Sequence, residues 1–141
     1  MSLVCVVAGQ SQARFFNQES AGKPLEELPG LDNPDARLHE RDLISERPGR
    51  TFDSKGATRH AKEQKTNVKK QVAINFAKQI SDYLEARRNE FDNLVLIAPP
   101  AFLGLLRESL PDTLMKLVTR EIDKDIVNKD VKDIQRYLRK F

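Results

Sequence analysis

The sequence predicts an α/β fold: one domain built on a mixed sheet of about five strands, with helices packed on it. Two strand-length runs stand close together at the amino end, residues 3–8 (LVCVVA) and 13–16 (ARFF), separated by GQSQ. A further apolar run, 93–98 (NLVLIA), follows a long helical pattern, as the second strand of a crossover connection does. Helix, strand and helix then alternate to the end of the chain.

The elements follow in order. Residues 3–8 are β-branched and apolar, and Gly9, Gln10, Ser11 and Gln12 supply turn chemistry before 13–16 resumes, so a hairpin is predicted. The opening stretch lacks a basic segment ahead of its apolar run and is read as a strand, not a signal peptide. Residues 25–28 (LEEL) are predicted as a short third strand before Pro29-Gly30. From 31 to 51 the chain carries Pro34, Pro48 and Gly49 among charges without a period, and mostly loop is expected.

Order returns near Thr66. Val68, Val72, Phe76, Ile80 and Leu84 recur every four residues beside Ala73, Ala77 and Tyr83, while Lys69, Lys70, Lys78, Arg87 and Arg88 are expected elsewhere on the helix. Thr66 or Asn67 can cap it, or it begins earlier, inside the charged stretch. Residues 93–98 form an interior strand parallel to the first, ended by Pro99-Pro100. A short helix at 101–110 turns Phe102, Leu105 and Leu106 inward, and a helical turn runs from Pro111-Asp112 to about Lys116. Residues 117–122 make the last strand, and 131–141 an amphipathic closing helix with Val131, Ile134, Tyr137, Leu138 and Phe141 on one face.

The 141 residues suffice for one domain with a real core, 1–141, and 39% hydrophobic against 32% charged residues is a globular rather than a disordered mixture. No apolar run approaches the roughly 20 residues of a membrane-spanning helix. A single cysteine, Cys5, excludes an internal disulfide and is compatible with a reducing, cytoplasmic setting.

The net charge of +3 hides a local polarity. Residues 47–70 hold eight Lys or Arg against two acids, whereas 19–46 hold eight acids against three bases. A clustered excess of one sign gives a directional field. A long basic loop is therefore expected at about 46–66, because connections beyond about 12–15 residues in compact domains are usually functional or disordered. Arg47, Arg50, Lys55, Arg59 and Lys62 suit phosphate contacts, with His60 and Phe52 as the rings available to stack on a base and Gly49 and Gly56 setting the backbone. The same residues equally suit an acidic protein partner, or a solvated loop answering the acidic segment before it.

Other chemistry finds little footing. Two-metal nuclease chemistry needs carboxylates on the first strand, and LVCVVAGQ has none. Glu121, Asp123 and Asp125 alternate and share a face in an extended chain, but read first as a solvated strand end. His39 and His60 have no second cysteine to complete a zinc site. Cys5 in mid-strand is a buried small hydrophobe, and no nucleophile elbow or Walker loop occurs. Arg107 and Glu108 are the polar residues nearest Pro99-Pro100, at the strand end where α/β sheets bind ligands.

The runs at 34–54 (PDARLHERDLISERPGRTFDS), 94–107 (LVLIAPPAFLGLLR) and 120–125 (REIDKD) together resemble the bacterial family of proteins required for attachment to host cells. That family is similar, more distantly, to the middle domain of archaeal and eukaryotic peptide-chain release factors and of Pelota. The resemblance implies an RNase H-like, release-factor middle-domain-like fold. In release factors the connection before the long helix carries a Gly-Gly-Gln tip; the matching place here is Lys55-Gly56-Ala57-Thr58-Arg59, where one glycine matches and the second glycine and the glutamine do not. The expectation is thus a non-enzymatic module without catalytic residue, cofactor or metal, touching RNA or the ribosome through Arg47, Gly49, Arg50, Lys55, Gly56, Arg59, His60 and Lys62, or else docking an acidic protein there.

Overall fold

A computed structural model of the chain describes residues 2–20, 22–36 and 55–140, with side chains described for all of these but 55–67 and 140. The strands are β1 (Leu3–Ala8), β2 (Gln12–Gln18), β3 (Glu26–Asp32), β4 (Asn93–Ile97) and β5 (Val118–Ile122). The helices are α1 (Lys55–Ala86), α2 (Pro100–Ser109), α3 (Asp112–Met115) and α4 (Val131–Lys140), with a 3₁₀ turn at Arg88–Glu90. The sheet is mixed and five-stranded, in the order β3-β2-β1-β4-β5. The β1–β2 and β2–β3 pairs are antiparallel, whereas β4 lies parallel to β1 and β5 parallel to β4.

The hairpin forms as its pattern predicts, with Val6 opposite Phe15 and Cys5 opposite Phe16. Alternation along β1 then divides two cores. Val4 and Val6 join Phe15, Leu94 and Leu96 on the side covered by α1, α2 and α3. Cys5 and Val7 join Phe16, Val95, Ile97 and Ile122 on the opposite side, under Ile134 and Leu138 of α4. Because β1 and β4 are buried on both faces, they read as continuous apolar runs.

Three differences from the sequence reading have physical causes. First, β3 runs on through Pro29 and Gly30, which the sequence marks as a stop. The strand is at the sheet's edge, where a missing N–H costs no ladder bond. Between the pairs Ala13–Leu31 and Phe15–Leu28, Pro29 and Gly30 bulge opposite Arg14 alone. A side chain at Gly30 would put its Cβ 2.7 Å from the Ala13 carbonyl oxygen, so only glycine fits there.

Second, Val68 is 44% exposed rather than part of the core stripe. Four residues advance a helix by about 400°, so a four-residue repeat drifts by roughly 40° per step and leaves the buried face within a few turns. The buried stripe is Ala73, Phe76, Ala77, Ile80 and Leu84. Third, the helix begins not at Thr66 or Asn67 but at Lys55, inside the charged stretch, the earlier of the two starts that the sequence leaves open. Of the basic loop expected at 46–66, the part from Lys55 onward is therefore helix, while 46–54 lies outside the described residues.

Candidate functional site

The parallel strands β1, β4 and β5 point their carboxyl ends one way, and α1, which leads into β4, starts at that end. There Gly9 donates its N–H to the Gln12 carbonyl at 2.8 Å, closing the β1–β2 turn. Asn33, 5% exposed, locks the turn to the end of β3: its Nδ2 donates to the Gln10 carbonyl at 2.9 Å and its backbone N–H to the Ser11 carbonyl at 2.8 Å. A helical turn opens at Pro34, immediately after Asn33. Lys69, Val72 and Ala73 of α1 pass over Gln10 and Ala36, enclosing a hollow of about 10 Å³. That holds at most a water. Among the described residues, α1 presents a surface here.

The surface is basic. Lys69 and Lys70 are both exposed, and Lys69 lies four residues before the buried Ala73 and eleven before the buried Ile80, on the same side of the helix. A lysine in solvent on the stripe that elsewhere is core means that α1 has passed the end of the sheet. The lengths agree: 32 helical residues span about 48 Å, against about 20 Å for the six residues of β1. Continuing toward the amino end, positions 69, 65, 62, 59 and 55 are separated by four, three, three and four residues, and each is Lys or Arg. Helical spacing puts them, with Lys70, within an arc of roughly 140° centred near the core-facing stripe.

Of the residues the sequence singles out, Lys55, Gly56, Arg59, His60 and Lys62 thus lie on the first turns of α1 rather than on a loop. Arg47, Gly49, Arg50 and Phe52 lie outside the described residues, as does His39. The Lys55–Arg59 stretch, which the sequence reading sets against the release-factor tip, is helical backbone.

α1 is held by its other half. Tyr83 donates its hydroxyl to the Pro29 carbonyl at 2.7 Å, stacks on Phe15 with centroids 3.8 Å apart, and carries the Arg87 guanidinium 4.7 Å above its ring. Burial raises the Tyr83 pKa, the Arg87 charge and hydrogen bond act against it, and Glu90 adds to the rise. A second tie went unnoticed in the sequence. Arg14 clasps both carboxylate oxygens of Glu27 at 3.0 and 3.1 Å, donates to the Val127 and Lys129 carbonyls at 3.0 and 2.5 Å, and lies 5.1 Å from the Phe16 ring centre. Nothing in ARFF signals this, because its partners come from β3 and from the segment before α4.

The remaining candidates resolve as follows. Phe102 and Leu103, after Pro99-Pro100, are buried packing residues. Arg107 donates through Nε to Glu121 Oε1, which occupies one carboxylate of the alternating set, and Asp123 and Asp125 are exposed. Among the described residues no group of three or more His, Cys, Asp and Glu could hold a metal ion. Cys5 is fully buried; burial pushes its thiol up to about 12 against the opposing charge of Arg120, so it stays protonated and unreactive. No helix among the described residues is long and apolar enough to cross a membrane.

Residues 4–138 match the family described as "Protein required for attachment to host cells". The chain belongs to that family. The match takes in β1 from Val4, the four other strands, the whole of α1 and nearly all of α4. A relative in Rickettsia prowazekii (strain Madrid E), bearing the name of an uncharacterized protein, is 29% identical over 103 residues, or 70% of this chain and 69% of the relative. The family description states a phenotype and assigns no chemistry to any residue.

Proposed function

We propose that this member of the host-attachment family is a cytoplasmic, non-enzymatic binding module related to the release-factor middle domain. It contacts RNA, on the ribosome, through the overhanging amino half of α1 and the basic connection before it. The single observation that carries the reading is the exposed Lys69 on the core-facing stripe of α1, beyond which that stripe continues as Lys65, Lys62, Arg59 and Lys55. A rigid helix bearing a row of cations matches a line of phosphates, and such contacts position without reading sequence. The absence of a second glycine and a glutamine around Gly56, together with its helical backbone, speaks for contact rather than for peptidyl-tRNA hydrolysis. Attachment to host cells then depends on the protein indirectly.

The test is fluorescence anisotropy with single-stranded and ribosomal RNA fragments across a salt series, paired with co-sedimentation with ribosomes. Affinity is expected to fall linearly on log–log axes, by about 0.7 per phosphate neutralised on a single strand. Replacing Arg50, Arg59 and Lys62 together by Ala should abolish binding. RNA affinity unchanged in that variant removes the proposal, and nuclease-resistant capture of an acidic protein would replace RNA with a protein partner on the same surface.

A further inference from the structure

At the opposite end of the sheet, and on its opposite face, lies a hollow of about 210 Å³ between the start of β1, the end of β2 and the last turns of α4. Its floor is apolar, from Leu3 and Leu138, and its walls carry Arg120, Arg139, Gln18 and Gln135. The fold builds each wall separately. Gln135 and Arg139 are one helical turn apart on α4, so both edge the same side. Gln18 is fixed by its Nε2, which donates to the Lys23 carbonyl at 2.7 Å across a turn that needs the left-handed backbone of Gly22, φ 86°. Arg120 comes across from β5 and donates through Nη1 to the Leu138 carbonyl at 2.5 Å, one of the helix-end carbonyls that lack an intrahelical partner. That contact fixes the guanidinium and leaves further N–H groups of its five for other acceptors.

Among the described residues no carboxylate lines this hollow, and no acid pairs with Arg120 or Arg139. Two guanidiniums around an uncharged, partly apolar hollow make a place where an anion is stabilised. The neighbouring hollow of about 330 Å³ along the free edge of β5 shares Arg120 and adds Lys124, but Glu121 and Asp123 offset the two cations there. Size narrows the class further, since drug-sized ligands need roughly 300–1,000 Å³.

We propose that the hollow formed by Arg120, Arg139, Gln18 and Gln135 over Leu3 and Leu138 is a binding site for a small oxyanion, a phosphate monoester or a carboxylate, that carries a compact apolar group. Arg120 and Arg139 take the oxyanion through charge-assisted hydrogen bonds, the glutamine side chains flank it, and the apolar group lies on the two leucines. The site is separate from the basic half of α1 and does not depend on an RNA role for it.

Amide-resolved NMR titrations of the full chain with inorganic phosphate, phenyl phosphate and benzoate test the proposal. Saturable shifts are expected at Gln18, Gly22, Gln135 and Arg139, and phenyl phosphate should bind several-fold tighter than inorganic phosphate. Benzoate binding above phenyl phosphate would identify a carboxylate ligand, and the reverse order a phosphate ester; either supports the site. Arg139→Gln, at an exposed position, should weaken binding about tenfold with the fold intact. Arg120→Gln should do the same, and its amide spectrum reports whether the α4 end stays folded. The proposal is overturned if no ligand gives saturable shifts at those amides, if shifts appear only at residues 55–70, or if Arg139→Gln binds as the parent does.

Discussion

The two halves of α1 share one backbone, one helical register and one azimuth, yet they meet different surroundings. From Ala73 to Leu84 the stripe facing the sheet is Ala, Phe, Ala, Ile and Leu, all buried. From Lys55 to Lys69 the positions continuing that stripe are Lys and Arg. What separates them is the length of the sheet, which ends near Gln10 while the helix continues. The comparison teaches that a helix stripe takes apolar residues where strands lie opposite it, and that cationic positions continue the same stripe where the sheet has ended.

The largest effect expected on this comparison comes from the buried half. Phe76, fully buried and 6.0 Å from the Phe102 ring, should cost about 3–5 kcal/mol when replaced by Ala, read as a shift in denaturant midpoint. A loss below about 1 kcal/mol would mean that α1 does not seat as described. The basic half should respond in the opposite way. Arg50, Arg59 and Lys62 changed together to Ala should alter stability by no more than about 0.5 kcal/mol per site, while RNA binding is abolished. A large loss of stability in that variant would make those residues part of the body and end the distinction between the halves.

Smaller effects sharpen the boundary. Tyr83→Phe removes the bond to the Pro29 carbonyl but keeps the stack on Phe15, and should cost about 1 kcal/mol. If α1 pivots on this tie, the variant should also change amide exchange at residues 68–73, which calorimetry alone would miss. Last comes pH. The Cys5 thiol, raised by burial from 9.0 to about 12, stays protonated in the folded chain while the unfolded thiol ionises. Below pH 9 it therefore contributes nothing to the pH dependence. Between about pH 9 and 12 stability is lost as pH rises, with a slope approaching 1.4 kcal/mol per unit from this group. Cys5→Ala should flatten that part of the profile, and an identical profile in the variant would place the thiol in contact with solvent.

Much of the fold was legible. β1 and β4 announced themselves because burial on both faces leaves no polar position to confuse the reading, and α2 and α4 because proline starts one and strong amphipathicity marks the other. The start of α1 was not legible, since lysine, arginine and glutamine favour a helix and a solvated loop alike when no apolar period accompanies them. The hollow around Arg120 left no sequence trace, as its walls come from positions 18, 120, 135 and 139 on three separate elements. The grip of Arg14 was hidden for the same reason.

The sequence by itself determined the order of strands and helices among the described residues and the concentration of positive charge ahead of the long helix, because periodicity and composition are local properties of the chain. Only the tertiary structure decided where the sheet stops beneath α1, that Lys69 therefore stands in solvent on a core-facing stripe, and which distant polar groups converge on one hollow. Those are matters of length and juxtaposition between elements, and no local pattern encodes the distance at which one element outruns another.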